Sequence, residues 1–301
     1  MGDSASVQSN CLGIAPEGTA QGVKWPHGSI GSFAVEGNHE MYARAIGFLD
    51  TFLPTLGVTL PSGGVTGQAA GYVALENAYW RVIMLDTGYN TYSLVPKMDN
   101  RNNTQPQAVI DWLVNEVNIG NASDTRGIIF FSHHQVESAF EDPYLATPWQ
   151  IAELMPPNRT VVWLWGHEHR VSWYELFSVT NATVPLNVYG RCVGNGGFPG
   201  SVGAIPPRAK ASGLMVYDDR VYEIETGFFN SSVSYNGFVH LTLEKNTASI
   251  VYSSLATDPK TGLISNEIQT DLVAETFVVD EDGNVALESF EVVNPDLTII
   301  R

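Results

Sequence analysis

Apolar positions along the chain follow two periods. Short, β-rich apolar runs bounded by turn residues predict buried strands at Arg81–Leu85, Gly127–Phe131 and Thr160–Leu164. Ser32–Val35 and Ala70–Leu75 read as further strands, the second joined to Arg81–Leu85 by a turn at Glu76-Asn77-Ala78. Apolar residues spaced by three and four predict a helix over Met41–Leu56, with Ile46, Leu49, Phe52, Leu53 and Leu56 inward. The same spacing predicts a helix over Gln105–Val117, with Val109, Ile110, Leu113, Val114 and Val117 on one face. Shorter helices are expected at Pro148–Leu154 and near Val7–Leu12.

From Val171 the pattern is β throughout: Ser172–Val179, Leu186–Arg191, Gly213–Val216, Val221–Thr226, Gly237–Leu243 and Ala248–Ser253. Asp282-Gly283-Asn284 is a hairpin turn between Phe277–Val279 and Ala286–Val292. Strands alternating with helices and then giving way to strands predict an α/β fold of two packed, mixed β-sheets flanked by helices. The expected division is a main domain over 1–256 and a C-terminal β-hairpin extension over 257–301.

Composition narrows the class. The 301 residues are 44% hydrophobic, enough for a packed core, so disorder is not the default. A net charge of −17 argues against binding a nucleic-acid backbone or an anionic membrane. No apolar run is long enough for a membrane-spanning helix, and no signal peptide is visible at Met1-Gly2-Asp3-Ser4. Asn-x-Ser/Thr sequons at Asn102, Asn121, Asn158, Asn181 and Asn230 hint at an extracytoplasmic history, and localisation stays open. Cys11 and Cys192 read as two buried thiols, with a single bridge left as the alternative.

The chemistry lies in three histidine groups, each directly behind an apolar run: Gly37-Asn38-His39-Glu40, Ser132-His133-His134 and Gly166-His167-Glu168-His169. Imidazoles at i and i+2 past a strand end reach one concave site if the loop curls, and parallel strands present such ends to a common rim. Nitrogen and oxygen donors without thiolate point away from a structural zinc site and toward a catalytic metal centre with open positions. Glu40 and Glu168 either orient neighbouring histidines or are solvated carboxylates, and His134 either faces the pocket or packs beside it. His27 and His240 belong to no group. Loops 59–68, 89–104 and 135–147, with Tyr89, Tyr92, Phe140 and Tyr144, are expected to rim the pocket.

These three groups in this order resemble the calcineurin-like metallophosphoesterases, which include the purple acid phosphatases. The Gly-Asn-His-Glu-Met-Tyr wording at 37–42 and Tyr235-Asn236-Gly237-Phe238 add to the likeness, which extends over about residues 30–255. The resemblance implies a four-layer sandwich and hydrolysis of a small-molecule or macromolecular phosphate mono- or diester. It implies a centre of two divalent or trivalent ions (Fe, Mn or Zn), with Asn38, His133 and His167 on one and His169 on the other. It makes His39 the catalytic residue beside the phosphate rather than a ligand. The chain departs from the family at its start, where a strand ending in Asp-x-His and a second ending in Gly-Asp are missing. Gly2-Asp3 has no apolar strand before it to present Asp3 as the bridging ligand. The resemblance therefore implies an N-terminally truncated member, holding two ions, one or none, with impaired activity. The alternative is a non-catalytic scaffold on the same fold.

Overall fold

The computed structural model describes residues 27–89, 91, 103–180, 185–196, 208–226, 229–255 and 269–300. Asp3, Cys11, the expected helix near Val7–Leu12, Tyr92 and the sequons at Asn102 and Asn181 lie outside these residues. The described chain is mostly β-sheet, in several sheets, with few helices. No described helix is long and apolar enough to cross a membrane.

The strands are β1 (Gly31–Ser32), β2 (Gly57–Val58), β3 (Val73–Glu76), β4 (Trp80–Leu85), β5 (Gly127–Ser132), β6 (Thr160–Trp165), β7 (Val171–Thr180), β8 (Pro185–Val193), β9 (Leu214–Tyr217), β10 (Val221–Thr226), β11 (Phe229–Ser234), β12 (Asn236–Glu244), β13 (Thr247–Leu255), β14 (Thr270–Val279), β15 (Val285–Val292) and β16 (Thr298–Ile299). Two α-helices lie among the described residues, α1 (Gln107–Asn115) and α2 (Ala146–Leu154). The main sheet has the order β16-β9-β7-β8-β6-β5-β4-β3. Its centre, β4-β5-β6-β8, is parallel, and the pairings toward both edges are antiparallel. A second, wholly antiparallel sheet has the order β12-β13-β14-β15.

Strand alternation sorts the central residues onto two faces. Ile83, Leu85, Ile128, Phe130, Val161, Trp163 and Trp165 join a core with Val109 and Leu113 of α1 and Ile151 of α2. Val82, Ile129, Val162 and Leu164 face the other way, against Ile250, Tyr252, Val273 and Phe277 of the second sheet. Two packed sheets with a helical layer on one side are present, but only the first sheet is mixed. The second, expected to be mixed as well, is wholly antiparallel because each of its strands pairs with the next in sequence. Among the described residues no helix covers the outer face of the second sheet, so the four-layer sandwich is not reproduced there. The stretch expected as an appended hairpin supplies β14 and β15, which hydrogen-bond to β13 and fill the core between the sheets.

Two expectations near the amino end need correction. Ser32–Val35 pairs as a strand only at Gly31–Ser32. Ala34 instead meets the side chain of Gln68, whose Nε2 donates to Ala34 O (2.7 Å) and whose Oε1 accepts from Ala34 N (2.8 Å). A side-chain amide thus replaces a neighbouring strand. The helix expected over Met41–Leu56 is broken into a 3-10 turn (Glu40–Ala43), a π turn (Gly47–Phe52) and a second 3-10 turn (Leu53–Thr55). Arg44 and Ala45 both take φ of 54°, which no α-helix accommodates. The buried stripe shifts accordingly to Ala45, Phe48, Phe52, Leu53 and Leu56, leaving Ile46 and Leu49 exposed.

At the end away from the histidines, buried Arg159 clasps the β14–β15 turn. Its guanidinium donates to the carbonyls of Asp282 (2.6 Å), Arg126 (2.6 Å) and Asp124 (3.1 Å). Gly283 has φ +82°, and a Cβ there would lie 2.2 Å from an Arg159 nitrogen. Gly283→Ala is expected to cost more than about 2 kcal/mol, backbone strain plus a broken clasp. Gly63, at φ +88° with open space around it, is the comparison: Gly63→Ala incurs the backbone strain alone, about 1–2 kcal/mol. Equal losses for the two variants in urea denaturation would refute the clasp.

Candidate metal centre

The register of the parallel strands places the site. Leu85 pairs with Ser132, Ser132 with Trp165, and Trp165 with Cys192. The chain therefore leaves four strands at one level, into Asp86-Thr87, His133-His134, Gly166-His167 and Val193-Gly194. The Thr87 hydroxyl accepts the backbone N–H groups of His133 (3.1 Å) and His134 (3.0 Å). Gly166 N donates to His133 O (3.0 Å), tying the second and third histidine groups together. Glu40 Oε2 accepts from Gly37 N (2.8 Å) and closes the loop that carries Asn38.

The third loop curls by left-handed backbone, with φ of 66° at His167 and 46° at His169. Such conformations are unfavourable for residues with a Cβ and collect at functional sites. Gly194 makes room for the curl, since a Cβ there would lie 2.9 Å from His169 N and 3.0 Å from Gly166 C.

All five predicted site residues come together. Asn38, His39, His167 and His169 line one cavity of about 280 Å³. Buried His133 presents Nε2 at 2.9 Å from Asn38 Oδ1 and 3.0 Å from His167 Nδ1. A neutral imidazole carries one N–H, so His133 cannot fully satisfy both neighbours. A shared cation would relieve that crowding by accepting a lone pair from each donor. Burial, followed by the neighbouring His134 and His167, holds the His133 pKa well below its usual range. His134 is depressed likewise, by burial and then His167. Neutral imidazole is the form that binds metal.

His134 is buried and stacks on Tyr144 at 4.2 Å, with its Nδ1 3.3 Å from Thr87 Oγ1 and no hydrogen-bond partner at Nε2. Its donor atom falls within 4.8 Å of those of His133 and His167, and this histidine group has the composition and spacing to hold a metal ion. His39 stacks on Tyr42 at 4.9 Å along the cavity wall.

The two carboxylates expected to be solvated or paired with histidine are both buried. Glu168 accepts from the Ser138 hydroxyl and from Trp165 Nε1 (3.2 Å), and burial raises its pKa to about 7 against those bonds. Behind Asn38, Glu36 and Asp86 form a buried carboxyl pair, both pKa values raised mainly by desolvation, so the pair retains a proton at neutral pH. Buried Cys192 lies under the third loop, its Sγ 3.3 Å from Arg170 O, with no disulfide among the described residues.

Two cavity residues escaped the sequence reading, Glu141 and Arg170. Arg170 directly follows the His-x-His group, and Glu141 lies in the 135–147 loop expected to rim the pocket. Residues 59–68 contribute nothing to the cavity among the described residues.

No protein-family model matches the chain, and no curated protein matches it. Among solved structures the chain is similar to the structure of PhoD, at 14% identity and a TM-score of 0.44, over 79% of this chain and 47% of that one. It thus spans about half the length of that structure.

Proposed function

We propose that the protein is a metal-dependent phosphoesterase of the calcineurin-like kind, with Asn38, His133 and His167 holding one ion and His169 serving a second. The observation that carries the reading is the convergence of Asn38 Oδ1, His133 Nε2 and His167 Nδ1. The three arrive on separate loops, and two of them crowd one nitrogen that has a single proton to share. A bound ion there would supply Lewis acidity and lower the pKa of a coordinated water. The chain's own groups do the rest. His39 on the cavity wall protonates the leaving oxygen or stabilises its charge, as a positioned imidazole does near neutral pH. Glu168, anchored by Ser138 and Trp165, holds the loop between His167 and His169. The four-layer sandwich belongs to this same proposal.

One observation favours a second reading, a scaffold with a single ion. Among the described residues the histidine group includes no carboxylate that would bridge two ions. Stripping the protein with a chelator and restoring Mn²⁺, Fe²⁺ or Zn²⁺ separates the two. The phosphoesterase reading expects turnover of p-nitrophenyl phosphate or its bis-ester to disappear and return, with two ions per chain by elemental analysis. One ion without turnover would establish the scaffold, and chelator-resistant turnover would eliminate the metal mechanism.

A further inference from the structure

We infer that Arg170 grips the phosphoryl group and that the substrate class is a phosphomonoester, an inference resting on the phosphoesterase reading of the same cavity. Arg170 lines that cavity beside His167 and His169. Its Cζ lies 3.8 Å over the Phe140 ring, and its Nε donates to Glu168 O (3.3 Å). These contacts fix the plane of the guanidinium while engaging one of its five donors. The Phe140 platform is itself held: Ser138 Oγ accepts the N–H groups of Phe140 and Glu141 at 2.9 Å, and Phe140 packs edge-on against Tyr217. A fork fixed in advance binds an oxyanion without first being ordered.

The charge pattern selects the anion. Among the described residues Arg170 is the one Arg or Lys lining the cavity, in a chain of net charge −17. Glu141 lines the same cavity, so a leaving group with further negative charge meets repulsion there. A compact phosphoryl group on a neutral or cationic alcohol fits, and a polyphosphate or nucleic acid does not. The charge of the phosphoryl group agrees: a monoester dianion carries one more negative charge than a diester monoanion, so the fixed Arg170 cation favours the monoester.

The test uses the full chain reconstituted with Mn²⁺, orthophosphate as the probe in titration calorimetry, and metal content measured in parallel. Arg170→Met is expected to weaken orthophosphate binding about tenfold to a hundredfold with metal content unchanged. Arg170→Lys, which keeps the charge and loses the fork, is expected to fall between, and it stands in if Arg170→Met does not fold. The same variants should lower kcat/KM for p-nitrophenyl phosphate and leave the bis-ester within about twofold. Unchanged orthophosphate binding in metal-loaded variants would overturn the Arg170 assignment and leave the metal reading standing. Equal losses on both esters would overturn the monoester class. A wild-type chain that takes up no metal would remove the phosphoesterase reading and this inference with it.

Discussion

Glu275→Leu is expected to destabilise the fold by about 3–5 kcal/mol, the usual cost of removing one partner of a buried ion pair. Arg191 on β8 and Glu275 on β14 meet in the core between the two sheets, with both side chains fully buried. Arg191 Nε donates to both carboxylate oxygens (2.9 and 3.1 Å), and a terminal nitrogen donates to Oε2 (2.7 Å). Its other terminal nitrogen reaches the carbonyls of Tyr174 and Gly190, both at 2.7 Å. The Tyr252 hydroxyl also donates to Glu275. Burial alone would lower the Arg191 pKa, yet the Glu275 charge and hydrogen bonds outweigh it and raise it.

Leucine at 275 leaves that guanidinium charged, dry and without its counter-ion. A domain is stable by only about 5–15 kcal/mol, so the loss is a large share of the total. The double variant Arg191→Met/Glu275→Leu is expected to recover most of it, because an apolar pair of similar volume avoids desolvating two charges. Urea denaturation of both variants decides. A single variant within about 1 kcal/mol of wild type would mean water or another anion takes the place of Glu275.

His133→Ala carries the largest expected functional effect: one ion fewer per chain and more than about a hundredfold loss of phosphoesterase turnover. Losing only an outer hydrogen-bond partner of a ligand already costs about 10–100-fold, and His133 is the donor that touches both Asn38 and His167. The matched variant is His134→Phe, which preserves a ring against Tyr144 and removes the nitrogens. It is expected to retain metal. If His134→Phe loses the ion as His133→Ala does, His134 belongs to the ligand set with His133 and His167. If His133→Ala keeps full metal content, the proposed centre is wrong.

The parts of the fold written in local pattern were legible. Strands β4, β5 and β6 follow from short continuous apolar runs and helix α1 from three/four spacing, which are properties of neighbouring residues. The convergence of Asn38, His133, His167 and His169 was legible too, because each sits just behind an apolar run. What escaped depends on contacts distant in sequence or on backbone exceptions. Nothing local announces that Gln68 stands in for a strand beside Ala34, or that Arg191 has its carboxylate on β14. The left-handed pair Arg44–Ala45 turns Ile46 and Leu49 outward while Phe52, Leu53 and Leu56 stay buried as expected, and neither residue type signals it. β11 reads Phe-Asn-Ser-Ser-Val-Ser, too polar for a strand to be expected, and it forms by pairing with β10.

The shared level of the four parallel strand ends has a kinetic consequence. Parallel pairings join segments far apart in the chain, and such contacts form late because the intervening loops must first be closed. The loops with His133 and His167 meet only after β5 and β6 are in register, so no local fragment presents both donors. A ligand held there arrives after the folding barrier has been crossed. Its stabilisation would appear as slower unfolding, with the folding rate unchanged.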